Sequence, residues 1–295
     1  MRIVAYYRID NYLGGINITI IFDITSYGGA IQFITDFSDV DKKSIMGFID
    51  ANPTDCDVHH FMDTFNVEID KLDVSNIEAI ILHVTSNDDN CAAIKKYGLL
   101  NLQQALTVET PLRRYLIEFG IEFDISTKVM WCQGHRFDIT YEVNSISNEK
   151  DQELLKDIAR KIYFDPQIDG FFSVNDYSEY GGAVHERPEL LFNLKEFFKA
   201  ETLENTWKNN KEKKHFVVKY KALLSQIAWY SFYENETQYQ ADWVSKEYLK
   251  LDLIKKALYV VWNVHHYKQL PEIYTYMRTE TIIPYSDILE ITDYE

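Results

Sequence analysis

Three observations place this chain in the α+β class. Short runs alternate apolar and polar residues, as in Ile16-Asn17-Ile18-Thr19-Ile20-Ile21-Phe22, and glycine pairs punctuate them. Residues 148–162 instead carry Leu154, Leu155, Ile158 and Ile162 at helical spacing. Aromatic residues make up 15% of the chain, with 21 tyrosines, and large rings pack well on pleated surfaces. The order of these signals predicts a β-rich N-terminal extension over residues 1–64 and an α+β body over residues 65–295.

The extension reads as a β-meander through about residue 50. Gly14-Gly15 and Gly28-Gly29 serve as turns, Ala30-Ile31-Gln32-Phe33-Ile34 as a second alternating strand, and residues 41–49 as a short helix. Residues 67–82 read as extended and end in Ile80-Ile81-Leu82-His83-Val84-Thr85-Ser86, a buried strand with a histidine and two hydroxyls at its end. Polar groups held at the end of a rigid strand are well placed to bind a ligand.

A helix follows, capped by Asn90 and stopped by Gly98. Residues 100–106 and 111–119 predict two more, the latter with Pro111 in its first turn and Gly120 at its exit. Strands are expected over residues 121–125, 128–132 and 136–143, with Gln133-Gly134-His135 as a hairpin turn. Beyond the helix at 148–162, Gly170-Phe171-Phe172-Ser173 is strand-like, residues 189–198 helical, 215–224 strand-like and 246–264 helical. A final strand is expected over residues 274–283, closed by Pro284, with a turn at Ser286-Asp287-Ile288-Leu289.

Composition removes several functional classes. A net charge of −16 opposes a broadly basic nucleic-acid face, because counterion release needs clustered cations. The six lysines between Lys208 and Lys221, with Arg113 and Arg114, are the local exception, and a solvated loop explains them as well. Cys56, Cys91 and Cys132 lie far apart without a CxxC, which predicts reduced thiols and a cytoplasmic protein. No stretch has the run of about 18 apolar residues that a membrane span needs. His59-His60 and His265-His266 are adjacent pairs without metal-ligand spacing, so no metal is expected. GxSxG, GxxxxGK[ST] and GxGxxG are all missing from the sequence.

What remains is a dispersed set: His83-Val84-Thr85-Ser86, then Ile94-Lys95-Lys96-Tyr97-Gly98-Leu99, a central loop with Tyr177 and Tyr180, and Arg278-Thr279-Glu280-Thr281-Ile282-Ile283-Pro284 with Ile288 beyond. This order resembles the ADP-ribosyltransferase fold, and within it the bacterial toxin-type mono-ADP-ribosyltransferases, over about residues 78–292. In that family a His-x-Thr strand precedes an Ile-x-x-x-Gly-Leu helix. A central aromatic follows, then a late glutamate running into a Pro-x-x-Ile turn. The central Ser-Thr-Ser of one branch is missing here.

The resemblance implies split antiparallel sheets flanked by helices and NAD as a substrate, without a metal. It also implies transfer to a nucleic acid or protein in bacterial conflict or phage defence, with an antitoxin among the possible partners. His83, Thr85 and Ser86 would then contact NAD, Tyr177 or Tyr180 would stack on nicotinamide, and Glu280 would be the catalytic carboxylate. Each residue also has a structural reading: His83 as a core histidine, Thr85 and Ser86 as a helix cap, the tyrosines as packing, Glu280 as a solvated strand residue.

A rival constellation is His185-Glu186-Arg187-Pro188-Glu189 after Gly181-Gly182. Glu186 is its candidate acid, and Arg187 has the planar fork that grips a phosphate or carboxylate. Arg187-Pro188-Glu189 equally reads as the start of a helix. A binding or immunity module without catalysis is the alternative to an enzyme.

Overall fold

A computed structural model describes residues 19–177, 186–242 and 246–294. In chain order the elements are β1 (Ile20–Phe22), α1 (Tyr27–Ser38), α2 (Lys42–Ala51), α3 (Val58–Phe65), β2 (Ile77–Asn87), α4 (Ala92–Tyr97), α5 (Leu102–Ala105) and α6 (Pro111–Glu118). There follow β3 (Ile121–Asp124), β4 (Val129–Cys132), β5 (His135–Asp138), α7 (Glu149–Tyr163), β6 (Asp169–Ser173), α8 (Glu189–Phe198) and α9 (Glu201–Lys208). The chain closes with β7 (Lys214–Leu223), α10 (Glu236–Asp242), α11 (Glu247–Tyr267), β8 (Ile273–Tyr276) and β9 (Ile288–Asp293).

The protein is α+β, with mainly antiparallel sheets flanked by helices. The large sheet runs β8-β6-β2-β7-β9, with β1 added parallel to β2. The small sheet is the meander β3-β4-β5. Two compact units share the chain. Of the described residues, those in 19–82, 170–175 and 221–276 form the first, and those in 83–169, 176–220 and 277–294 the second.

The first unit has an aromatic interior. Phe22 meets Phe33 and Phe172 edge to face at 4.8 and 5.2 Å, a favoured ring geometry. The β-rich reading of residues 1–64 is corrected here: the described part is one three-residue strand and three helices. Gly28-Gly29 is not a turn but the first turn of α1, whose Ser26 cap accepts from Gly29 N. Ala30, Ile31, Phe33, Ile34 and Phe37 are all buried, and together they fit a helical stripe. Five residues of apparent alternation were too few to separate a period of 2 from one of 3.6. Gly29 is also sterically required, since a β-carbon there would strike the backbone oxygen of Asp23.

The second unit follows the sequence more closely. Thr110 caps α6, Pro111 occupies its first turn, and Gly120 leaves it at φ 71°. Asn148 caps α7, with Glu149 and Asp151 in its first turn. Leu116, Ile121, Met130, Leu155, Ile158, Ile162, Leu191, Leu194 and Trp207 form one buried cluster among α6, the small sheet, α7, α8 and α9. Four details differ, the first being β9, a strand that begins at Ile288 where a turn over residues 286–289 is expected. Asn90 does not cap α4, because Cys91 takes that place in the left-handed conformation and the Asp89 carboxylate receives Ala93 N. Helix α9 had no counterpart in the sequence reading. The expected strand over 274–283 ends at Tyr276, and Thr279-Glu280 form a turn.

Candidate functional site

The strand β2 carries His83, Thr85 and Ser86 at its C-terminal end, as the sequence suggests. His83 is half-buried, and its Nδ1 lies 2.8 Å from the carbonyl oxygen of Asp169, with that residue's carboxylate at 3.9 Å. Thr85 is also half-buried. Ser86 is buried, and its hydroxyl receives the indole N–H of Trp207 at 3.3 Å. Tyr220, fully buried on β7, senses the Asp169 charge; burial first, then that carboxylate, push its phenol pKa up. Its hydroxyl has no hydrogen-bond partner among the described residues.

The two ends of the motif set meet through their backbones. Gly98, at φ 82°, closes α4, and the next residue pairs with Ile283 in an isolated antiparallel bridge. Leu99 N donates to Ile283 O at 2.9 Å, and Ile283 N donates to Leu99 O at 3.1 Å. A β-carbon on Gly98 would run into the Ile283 carbonyl. Asn101, buried, opens α5 in a capping box through its side-chain oxygen and backbone N–H, and donates its side-chain amide to Thr279 O at 2.5 Å. Met277 N donates to Ile168 O at 2.8 Å. The Ile168-Asp169 pair therefore touches the residue after β8 through one carbonyl and His83 through the next.

Glu280 itself is exposed in the turn. Arg278 Nε lies 2.8 Å from Oε1, and the Thr279 hydroxyl 3.3 Å from Oε2. Its own backbone N–H, then Arg278 and Thr279, hold its carboxyl below the usual range, so it is ionised at neutral pH. Sheet order sets a limit on this arrangement. β6 lies between β2 and β8, so these two strands are not direct neighbours.

The rival constellation is organised differently. Arg187 is buried and pairs with Glu204 at 2.8 Å, while Lys208 and Lys195 reach the same carboxylate at 2.8 and 3.1 Å. Burial alone would raise the pKa of Glu204, but hydrogen bonds from Lys208, Arg187 and Lys195 overcome it and bring it down to about 2. Glu186 pairs with Lys208 at 2.9 Å. Pro188 caps α8 and Glu189 opens it, so the helix-start reading holds for that segment. Tyr177 packs its ring 5.5 Å from Tyr294. Tyr180 and His185 lie outside the described residues.

The lysine cluster is largely occupied. Lys214 pairs with Asp293 at 2.7 Å, Lys221 with Glu78 at 3.0 Å, and Lys213 donates to the carbonyls of Glu186 and Lys208. No helix of the described residues is long and apolar enough to cross a membrane.

Sequence reasoning missed an open cleft of about 500 Å³ in the second unit. It is lined by Asp88, the residue after β2, by α6, and by the face of α9 with Thr202, Asn205, Thr206 and Asn209. Asp88 accepts from Arg114 at 3.0 Å and from Asn210 at 3.2 Å. Tyr115 donates its hydroxyl to Leu203 O at 2.7 Å, and burial first pushes its pKa up to about 12. The missed signal was Leu203-x-x-x-Trp207, two apolar residues one helical turn apart with polar residues on the other face. No family model, curated protein or solved structure matches this chain.

Proposed function

We propose that the chain is an NAD-dependent mono-ADP-ribosyltransferase that acts on a nucleophile of a nucleic acid or protein. One observation carries the reading: the Leu99–Ile283 bridge, with Asn101 on Thr279 O, fastens the Gly-Leu segment to the turn that bears Glu280. These two segments are far apart in sequence, with 178 positions between Asn101 and its partner Thr279. A loop of that size is closed only against its entropy, so the contact is part of what the fold specifies.

The chemistry assigned to these residues is heterolysis of an N-glycosidic bond. Nicotinamide leaves with the bonding electron pair, and the ribose acquires oxocarbenium character. The acceptor then attacks the anomeric carbon and gives up its proton. Glu280 supplies the ionised carboxylate that opposes the developing positive charge, as in glycoside hydrolysis. Its present partners are a guanidinium and a hydroxyl, both exchangeable for a ribose hydroxyl. His83, with one ring nitrogen fixed on Asp169 O, offers the other to the ligand.

The test is incubation of the full chain with labelled NAD, with and without cell RNA or lysate. Release of nicotinamide with label transfer, reduced at least about a hundredfold in Glu280→Gln, is the expected result, on the scale of one lost transition-state charge contact. Failure to bind NAD at millimolar concentration overturns the reading in favour of a non-catalytic binding module. Activity lost in Glu186→Gln but kept in Glu280→Gln moves the carboxylate to the other constellation.

A further inference from the structure

We infer that the cleft between α6 and α9 binds a neutral ligand through a vicinal diol, a chemistry shared by ribonucleosides and simple sugars. A volume of about 500 Å³ falls in the usual range for small-molecule sites. The charges in it select the ligand. Arg114 is neutralised by Asp88 at 3.0 Å, and Asp88 uses its second oxygen on Asn210. Glu118, one helical turn beyond Arg114, lines the same cleft and has no ion-pair partner among the described residues. The lining thus keeps one net negative charge, on a chain of −16, and an anionic ligand is repelled.

The wall facing Glu118 is built for hydroxyl groups. Thr202, Asn205 and Asn209 follow one another at helical spacing along α9 and its C-cap, so their side chains share one face. The side chains of Asn205 and Asn209 hold no hydrogen bond among the described residues. An amide offers a donor and an acceptor, which matches a hydroxyl that both gives and takes a hydrogen bond. A carboxylate accepts from two neighbouring hydroxyls at once, and bonds to a charged acceptor are the stronger kind. Pro111 adds an apolar surface for the carbon face of a ring. The opposite side of α9 buries Leu203 and Trp207, so the polar stripe is fixed in place by the core.

This inference stands apart from the NAD reading, because it uses none of the same residues. Its test is titration calorimetry of the full chain with adenosine, 2′-deoxyadenosine and glucose, each to about 10 mM, well above the affinity expected of a specific small site. Binding of adenosine but not glucose assigns a nucleoside, and binding of glucose assigns a saccharide. Either supports the proposal if Glu118→Gln weakens the affinity at least about tenfold with an unchanged circular-dichroism spectrum. Asn205→Ala is expected to weaken it by a smaller factor. No heat from either diol, equal affinity for 2′-deoxyadenosine and adenosine, or an unaffected Glu118→Gln overturns it.

Discussion

The two constellations of ionisable residues that compete in the sequence are opposites in the structure. Around Arg187 and Glu204 the charges are buried and consume one another: a single carboxylate, 8% exposed, receives three cations. His83 is half-buried and held on the Asp169 carbonyl, and Glu280 is exposed in a turn whose Thr279 carbonyl receives Asn101. A guanidinium saturated by an internal carboxylate is a structural cross-link, whereas a carboxylate in an exposed turn can still trade its partners. The difference teaches that residue types alone do not mark a site. What marks it is whether the fold leaves their valences open.

The largest effect is expected at Glu204. Glu204→Gln removes the carboxylate that Arg187, Lys195 and Lys208 share, leaving Lys208 to Glu186 and Lys195 to Glu196, and breaking a buried ion pair from one side costs about 3–5 kcal/mol. Urea unfolding monitored by tryptophan fluorescence should show that loss directly. The pH dependence provides a second handle. The folded pKa, about 2, lies below the unfolded value of about 4.3, so this carboxylate binds fewer protons in the native state. Its stabilisation is complete above about pH 4.3 and is lost as the pH falls toward 2. Glu204→Gln should remove that limb of the pH–stability curve. A variant as stable as the parent would mean that this network does not hold the fold together.

A smaller effect is expected at Gly98, which tests the other region. Alanine there must adopt φ 82° and place its β-carbon against the Ile283 carbonyl. Strain of this kind costs about 1–3 kcal/mol, and loss of the Leu99–Ile283 bridge adds to it. On the proposed function, Gly98→Ala should reduce NAD turnover by more than the fall in folded fraction accounts for, since it displaces the Glu280 turn. Turnover that simply follows the folded fraction would separate the bridge from the chemistry.

These same positions show what could be read in the sequence. Pro111 and Gly120 bound α6 because a missing N–H and a positive φ are local demands, visible in single residues. Gly98 was legible as a helix stop for the same reason, but its partner, Ile283, was not, since the contact is set by tertiary packing. Helix α1 was misread because Gly28-Gly29 mimics a turn when Asp23, which forces the second glycine, is not seen to approach. The cleft was illegible for a related reason: Asp88, Glu118 and Asn205 come from three separate segments, none of which carries a motif. His83 and its strand were readable, whereas the saturation of Arg187 depends on a helix 17 residues away that the sequence reading passed over.

Tyr220 sharpens the comparison with the smallest expected change. It is fully buried, next to the Asp169 charge, and its hydroxyl has no hydrogen-bond partner among the described residues. An unsatisfied buried hydroxyl is a cost of about 1–3 kcal/mol, and a ring of the same shape without it avoids that cost. Tyr220→Phe should therefore leave the urea midpoint unchanged or raise it slightly, within about 1 kcal/mol. The sequence gives no structural reason to keep a tyrosine where phenylalanine packs equally well. If Tyr220→Phe is as stable as the parent yet slower in NAD turnover, the hydroxyl is retained for Asp169 and His83, and the open constellation gains a third member. If both stability and turnover are untouched, the hydroxyl serves neither, and the proposed chemistry rests on His83 and Glu280 without it.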